Sequence, residues 1–142
     1  MVELTDKAID TQAILVGMAD HSTGAVVLFL GTVRDHAEGK TVTHMDYEAY
    51  TDMAIAKMKA IETETVARWP IRQIAIVHRI GALQLGDVSV AVAVASPHRG
   101  EAFEACRFAI DTLKKSVPIW KKEYSPEGEG WVEGIIPEIR EK

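Results

Sequence analysis

Cysteine is nearly absent: the 142 residues hold one, Cys106. A single thiol closes no internal bridge, so a disulfide-held secreted scaffold is excluded and a reducing cytoplasm is the expected setting. Long apolar runs are missing too. No stretch nears the roughly 20 apolar residues of a membrane helix, and Met1-Val2-Glu3-Leu4-Thr5-Asp6 lacks the basic region and apolar core of an export signal. The expectation is a chain that is neither exported nor inserted in a membrane. Gly-rich phosphate loops, GxxxxGK followed by Ser or Thr and GxGxxG, do not occur, which removes the common nucleotide cradles. The histidines, His21, His36, His44, His78 and His98, show no HxH, HxxxH or Cys/His spacing, so neither a metal centre nor another cofactor is expected. Aromatic residues are scarce, at 6%, and do not interleave with basic ones. Trp69, Trp120 and Trp131 therefore read as packing anchors and not as platforms for stacked bases.

What is present fits one ordinary globular domain over residues 1–142, with 47% hydrophobic and 26% charged residues and no repeat or linker. Only the tail, 134–142, carries no pattern. The net charge is −5, from 16 Lys+Arg and 21 Asp+Glu, which disfavours a chain that coats nucleic acid. Its distribution is uneven. From His98 to Lys122 there are six basic and three acidic residues, a local surplus of +3 inside an acidic chain. Such a surplus suits a small anion better than a polyanion.

Asp10 is placed to cap a short helix over Thr11–Ala19, with Ile14, Leu15 and Met18 on one side. Ala25–Leu30 is an apolar run of strand length that reads as buried on both faces. From Thr41 to Tyr50 the residues alternate: Thr43, Met45, Tyr47 and Ala49 face one way, His44, Asp46, Glu48 and Tyr50 the other. A long helix follows, from Thr51 or Asp52 to about Trp69, stacking Ala54, Met58, Ile61 and Thr65 before Pro70. The next strand alternates Ile74, Ile76 and Ile80, and Gly81 and Gly86-Asp87 bracket a hairpin-like connection to Val88–Ala95. There the valines share one face, while Ser89, Ala91, Ala93 and Ala95 form a face small enough for a helix to approach closely. A second long helix spans about Glu101–Ser116 with Ala102, Cys106, Ala109 and Leu113 inward, and Pro118 ends it. Ile119–Tyr124 is a strand with Lys121 and Glu123 on one face and Trp120, Lys122 and Tyr124 on the other, and 125–130 is a loop. Helices mixed with sequential strands indicate an α+β fold.

Arg34, His98, Arg99, Lys114 and Lys121 each lie at the end of an expected element, where scaffolds place functional groups. The helix entrance beside His98-Arg99 adds free backbone N–H groups and a partial positive charge, both favourable to phosphate. Taken singly, a lysine in a last helical turn is ordinarily a solvated partner of the helix dipole. Cys106 shares a helix face with alanines and reads as an inert core thiol. Glu48, Asp46 and Asp35 read as solvated surface carboxylates. Spacing alone leaves two classes open, an enzyme acting on a small anion and a module that only binds one.

Several segments occur together and in order: Gly24–Arg34, Tyr47-Glu48-Ala49-Tyr50 with Met53-Ala54, His78-Arg79-Ile80-Gly81 with Gly86-Asp87, Ser96-Pro97-His98-Arg99, Leu113-Lys114, Pro118–Glu123 and Trp131-Val132. In this the chain resembles the large, catalytic subunit of molybdopterin synthase, from about Ile14 to Glu133. The resemblance implies an α/β-hammerhead fold with an additional small antiparallel β-subdomain. It also implies a sulfurtransferase of molybdenum cofactor biosynthesis that converts cyclic pyranopterin monophosphate (precursor Z) to molybdopterin. Sulfur would come from the C-terminal Gly-Gly thiocarboxylate of a small ubiquitin-like carrier subunit. The expected assembly is a homodimer with one carrier at each end, a heterotetramer. Substrate contacts carried over from the family fall on Thr32, Val33, Arg34, His98, Arg99, Lys114, Lys121, Lys122 and Glu123, with Lys114 and Lys121 catalytic. His98 and Arg99 would serve the neighbouring subunit's site. The contrasting expectation is a non-catalytic module that docks a ubiquitin-like tail or a phosphorylated metabolite in the same basic pocket.

Overall fold

The computed structural model describes residues 1–37, 39–126 and 128–132. The tail at 134–142 and the side chain of Trp131 lie outside what is described. The elements are β1 (Val2–Thr5), α1 (Thr11–Gly17), β2 (Ala25–Thr32), β3 (His36–Ala37), β4 (Lys40–Thr41), β5 (His44–Ala49), α2 (Thr51–Arg68), β6 (Gln73–Arg79), β7 (Gly81–Gln84), β8 (Val88–Ser96), α3 (Arg99–Ser116), β9 (Ile119–Ser125) and β10 (Gly128–Val132). The larger sheet runs β1-β6-β8-β2, with β1 parallel to β6 and the other neighbours antiparallel. A smaller sheet, β10-β9-β5-β7, is antiparallel throughout, and β3 and β4 pair as a short ribbon. This is the expected α+β architecture with its added antiparallel β-subdomain.

The alternation of β8 decides the layering. Val90, Val92 and Val94, with Ile74 and Ile76 of β6, meet α2 and α3 in the main core. The helices bring Ala54, Met58 and Ile61 from α2 and Ala102, Ala105, Cys106, Ala109 and Leu113 from α3. Small residues on α3 let its backbone lie close to the valines, and each fully buried Val or Ile contributes about 1.5–3 kcal/mol. On the other face Ala91, Ala93 and Ala95 receive Ile14 of α1 and Met18, its C-cap, as the small-residue face predicted. Asp10 caps α1, its carboxylate accepting the Ala13 N–H at 3.0 Å. Trp69 is a packing anchor, its indole N–H donating to Glu104 at 3.0 Å and its ring meeting Phe108. The subdomain has its own core of Val33, Val42, Met45, Tyr47 and Leu83.

Five expectations are corrected. The run expected to be buried on both faces, β2, is an edge strand of the larger sheet and leaves Val26, Phe29 and Leu30 exposed. The connection between Gly81 and Asp87 is not a hairpin within one sheet: β7 leaves the larger sheet and pairs with β5. Positive φ at Gly81 and Gly86, 92° and 83°, allows the chain to leave and return. The loop at 125–130 turns instead into β10, paired with β9. The first helix ends at Gly17, with Leu15 exposed, and α3 begins at Arg99, which makes His98 its N-cap. β1 was not foreseen, since four residues carry too little alternation to be recognised.

Candidate active site

The pairing of β8 sorts the expected site residues into two groups. Thr32 lies opposite Val88 at the start of β8, and His78 of β6 lies opposite Val90. α3 follows β8 and returns along it, so the last helical turn, with Lys114 and Lys115, comes back to this same end. His98 and Arg99 stand at the opposite end, where β2 begins opposite Ser96. Fifteen helical residues separate Arg99 from Lys114, about 22 Å of rise, too far for both to hold one phosphate within a single chain.

At the first end, β9 lies against β5 with Lys121 opposite Tyr47 and Glu123 opposite Met45. Opposite residues share a face. Lys121 and Glu123 therefore lie on the face that carries the subdomain core, as the expected alternation requires. Lys121 comes near enough to Lys114 for its charge to disfavour the charge on Lys114. Part of the Lys114 side chain meets solvent, yet burial of its ammonium, with a further push from Lys121, holds its pKa below the usual lysine value. The ammonium form of an amine so placed has already lost part of its hydration, so an anionic ligand strips less water from it than from a freely hydrated lysine.

Two neutral groups back this pair. Tyr47 is 8% exposed, and burial pushes its phenol up, the Ser89 hydroxyl opposing and Glu123 adding to the effect. His78 is 1% exposed, and burial pushes its imidazole down to about 4, against the pull of the Arg79 carbonyl and with Lys114 assisting. The rings of Tyr47 and His78 meet edge to face at 5.2 Å. Sequence reasoning did not place either residue in the site. The signal was present in the motifs that contain them, but nothing local says that a histidine in a strand is buried.

The remaining expected residues behave differently. Lys122 lies on the other face of β9, opposite Asp46, with its ammonium 5.6 Å from the Tyr124 ring. There the Tyr124 hydroxyl donates to Asp46 at 2.9 Å and its ring stacks on His44 at 4.1 Å. Val33 is buried in the subdomain core, its N–H donating to the Asp87 carbonyl at 3.0 Å and its carbonyl accepting from Gly86 at 2.7 Å. Arg34 follows it, exposed. Asp87 also pairs with Arg79 at 3.4 Å, so this corner fixes the chain leading into Arg34. Thr32, His98 and Arg99 are exposed. Cys106 stays out of the site: burial pushes its thiol up to about 11, and Sγ donates to the Val92 carbonyl at 3.6 Å. Among the described residues no group of three or more His, Cys, Asp or Glu is placed to hold a metal ion, and no helix is long and apolar enough to cross a membrane.

The family model described as MoaE protein matches residues 4–116. The chain belongs to the MoaE protein family. A molybdopterin synthase catalytic subunit of Pyrococcus abyssi is 48% identical over 117 residues, 82% of this chain and 79% of that protein. That of Bacillus subtilis is 42% identical over 130 residues, 92% and 83% of the two chains. Among solved structures, the molybdopterin synthase of Staphylococcus aureus superposes with a TM-score of 0.87 at 40% identity, covering 92% of this chain and 96% of that one. A chain of the Helicobacter pylori complex of subunits 1 and 2 of molybdopterin-converting factor shares the fold, with a TM-score of 0.77 at 18% identity, covering 93% and 90%. The resemblance carried by the motifs is confirmed, and this MoaE family member is an enzyme subunit.

Proposed function

We propose that the chain transfers sulfur to cyclic pyranopterin monophosphate, making the dithiolene of molybdopterin, and that the sulfur arrives as the C-terminal thiocarboxylate of a small ubiquitin-like carrier. The observation that carries this reading is the Lys114–Lys121 pair, with Glu123 on the same strand face as Lys121. Two cations at one sheet end suit a site that must receive a phosphate and a thiocarboxylate together. Lys114 positions the thiocarboxylate and stabilises negative charge as sulfur attacks. Lys121, oriented by Glu123, assists proton transfer or opening of the cyclic phosphate. Thr32, Arg34 and the carbonyl of Val33 border the same end, and Lys122 contributes from the rim. The buried, high-pKa thiol of Cys106 supports a sulfur source outside this chain.

His98 and Arg99 enter this reading from a second copy, which explains why one chain holds them about 22 Å from Lys114. The edge strand β2 offers Val26, Phe29 and Leu30, and α3 adjoins it with Phe103, 62% exposed. Two copies joined along β2 about a two-fold axis run antiparallel, which brings the His98 end of each against the Lys114 end of the other. A small-subunit partner is in keeping with the complex of subunits 1 and 2 formed by the Helicobacter pylori protein of the same fold, and this reading sets one carrier at each end of the dimer. The reading places the enzyme in the cytoplasm with its carrier.

Purified chain, precursor Z and thiocarboxylated carrier are expected to yield dithiolene product. Formation of a complex without product would establish a binding module instead. Lys114→Ala and Lys121→Ala are each expected to lower turnover by about 10²-fold or more, in the range for loss of one charge-stabilising donor. Melting should stay within about 0.5 kcal/mol of wild type for the exposed Lys114.

A further inference from the structure

Arg79 and Gly86-Asp87 belong to motifs that the chemistry above does not use, yet the fold brings them to one corner. Arg79 ends β6, where the chain leaves the larger sheet, and Asp87 stands where it returns to begin β8. The Arg79 Nη1 donates to the Asp87 Oδ2 at 3.4 Å, in the least exposed of the ion pairs among the described residues. That same oxygen accepts the Gln84 N–H at 2.9 Å, and the Asp87 N–H donates to the Gln84 carbonyl at 3.1 Å. Side chain and backbone thus close the turn together. Its backbone then grips the chain that leaves β2. The Asp87 carbonyl accepts the Val33 N–H at 3.0 Å, and the Gly86 N–H donates to the Val33 carbonyl at 2.7 Å. On the far side of Arg34, the Asp35 carbonyl accepts the Val42 N–H at 2.8 Å. The exposed Arg34 side chain therefore starts from a backbone fixed on both sides. Packing alone does not explain the choice of arginine at position 79, since its Nε is buried without a hydrogen-bond partner among the described residues.

We propose that Arg79 and Asp87 are positioning residues for Arg34. Their ion pair holds the turn between β7 and β8 in the form that grips Val33, and so sets the place from which the Arg34 guanidinium reaches the substrate's phosphate. The proposal rests on the reading of Arg34 as a substrate contact at the Lys114 end. Arginine binds phosphate through two parallel donors in one plane, so a small change in its angle of approach loses one of them. The corner joins three crossings of the chain between the two sheets: out of β6, back into β8 and out of β2. A guanidinium that starts there keeps its bearing on Lys114, carried by α3 against the larger sheet, and on Lys121 of the smaller one.

The test measures KM for cyclic pyranopterin monophosphate and kcat, with thiocarboxylated carrier in excess. Asp87→Ala, Asp87→Asn and Arg79→Met are compared with wild type, each alone and combined with Arg34→Ala. Asp87→Ala and Arg79→Met are expected to raise KM about tenfold and to leave kcat within about threefold, the pattern of a lost binding contact. Asparagine keeps an acceptor for the Gln84 N–H and for Arg79, and is expected to bring KM back to within about threefold of wild type. In the Arg34→Ala chain the same substitutions are expected to change KM by less than about twofold, because the group they position is gone. A tenfold rise that persists without Arg34 would overturn the proposal, as would a lower melting temperature with KM unchanged. Arg79→Met decides through the same cycle if Asp87→Ala does not fold. Amide exchange at Val33 and Gly86, read by NMR in the substrate-free chain, is expected to quicken about tenfold in either variant, and unchanged exchange would also overturn it. A wild-type chain that makes no product would refute the sulfur-transfer reading, and the exchange would still decide whether the pair holds the turn.

Discussion

Gly24 is the residue whose smallness the site depends on most directly. A Cβ built there would lie 2.3 Å from the Pro97 carbonyl oxygen, and its N–H already donates to the Ser96 carbonyl at 3.0 Å. The start of β2 thus passes close against the segment that delivers His98. Gly24→Ala is expected to cost about 1–3 kcal/mol, the usual range for overpacking a tight contact, read as a lower denaturant midpoint. Gly17 makes the contrast: a Cβ there meets nothing within 4 Å. Gly17→Ala, at the last helical position of α1, is expected to stabilise by about 0.5–1 kcal/mol. At Cys106 the prediction concerns chemistry. Cys106→Ala should leave turnover within about twofold of wild type, and iodoacetamide should not label the folded native chain, because thiolate is scarce for a buried thiol titrating at about 11. Rapid labelling with loss of activity would instead make this thiol part of the reaction.

Among the elements, β6 links stability to pH through its buried histidine. The unfolded chain releases the His78 proton near 6.5, the folded chain only at about 4. Between these values the unfolded state binds more protons, so stability rises with pH. Full stability is present above about 6.5, and roughly 3 kcal/mol is lost as pH falls toward 4. Chemical denaturation across this window should show a steeper pH dependence for wild type than for His78→Gln, and equal slopes would mean that the ring is hydrated in the fold. The elements also differ in how legible they were. α2 and α3 could be read because each carries one uninterrupted apolar stripe, Ala54-Met58-Ile61-Thr65 and Ala102-Cys106-Ala109-Leu113, and all eight residues are buried. β8 could be read from its valine and alanine faces. The sheet switch of β7 could not, since its partner is β5, nearly 40 residues earlier, and pairing over that distance leaves no local pattern. The site divides the same way. The charges of Lys114, Lys121 and Arg34 stand out at element ends, whereas His78 and Tyr47 become site residues only when α3, β5 and β6 converge.

For the whole molecule, the separation of Arg99 from Lys114 yields a decisive prediction. If each site takes Lys114 from one copy and Arg99 from the other, the two single variants fail for complementary reasons. A dimer of Lys114→Ala chains lacks the lysine in both sites, and a dimer of Arg99→Ala chains lacks the arginine in both. A mixed dimer has one site with both residues and one with neither. Random exchange makes half the dimers mixed, so an equal mixture should recover about a quarter of the wild-type rate, while each variant alone stays inactive. Sites complete within one chain would give no recovery at any ratio. The apolar edge adds a second arm to the experiment. Phe103→Asp places a charge on the most exposed large apolar residue of α3, and an exposed position tolerates this within a monomer at little cost in stability. The substitution is expected to shift sedimentation toward the monomer and to abolish the recovery in the mixing experiment. A Phe103→Asp chain that stays dimeric and still complements would move the contact away from β2 and α3, because a shared site then survives without the apolar strip.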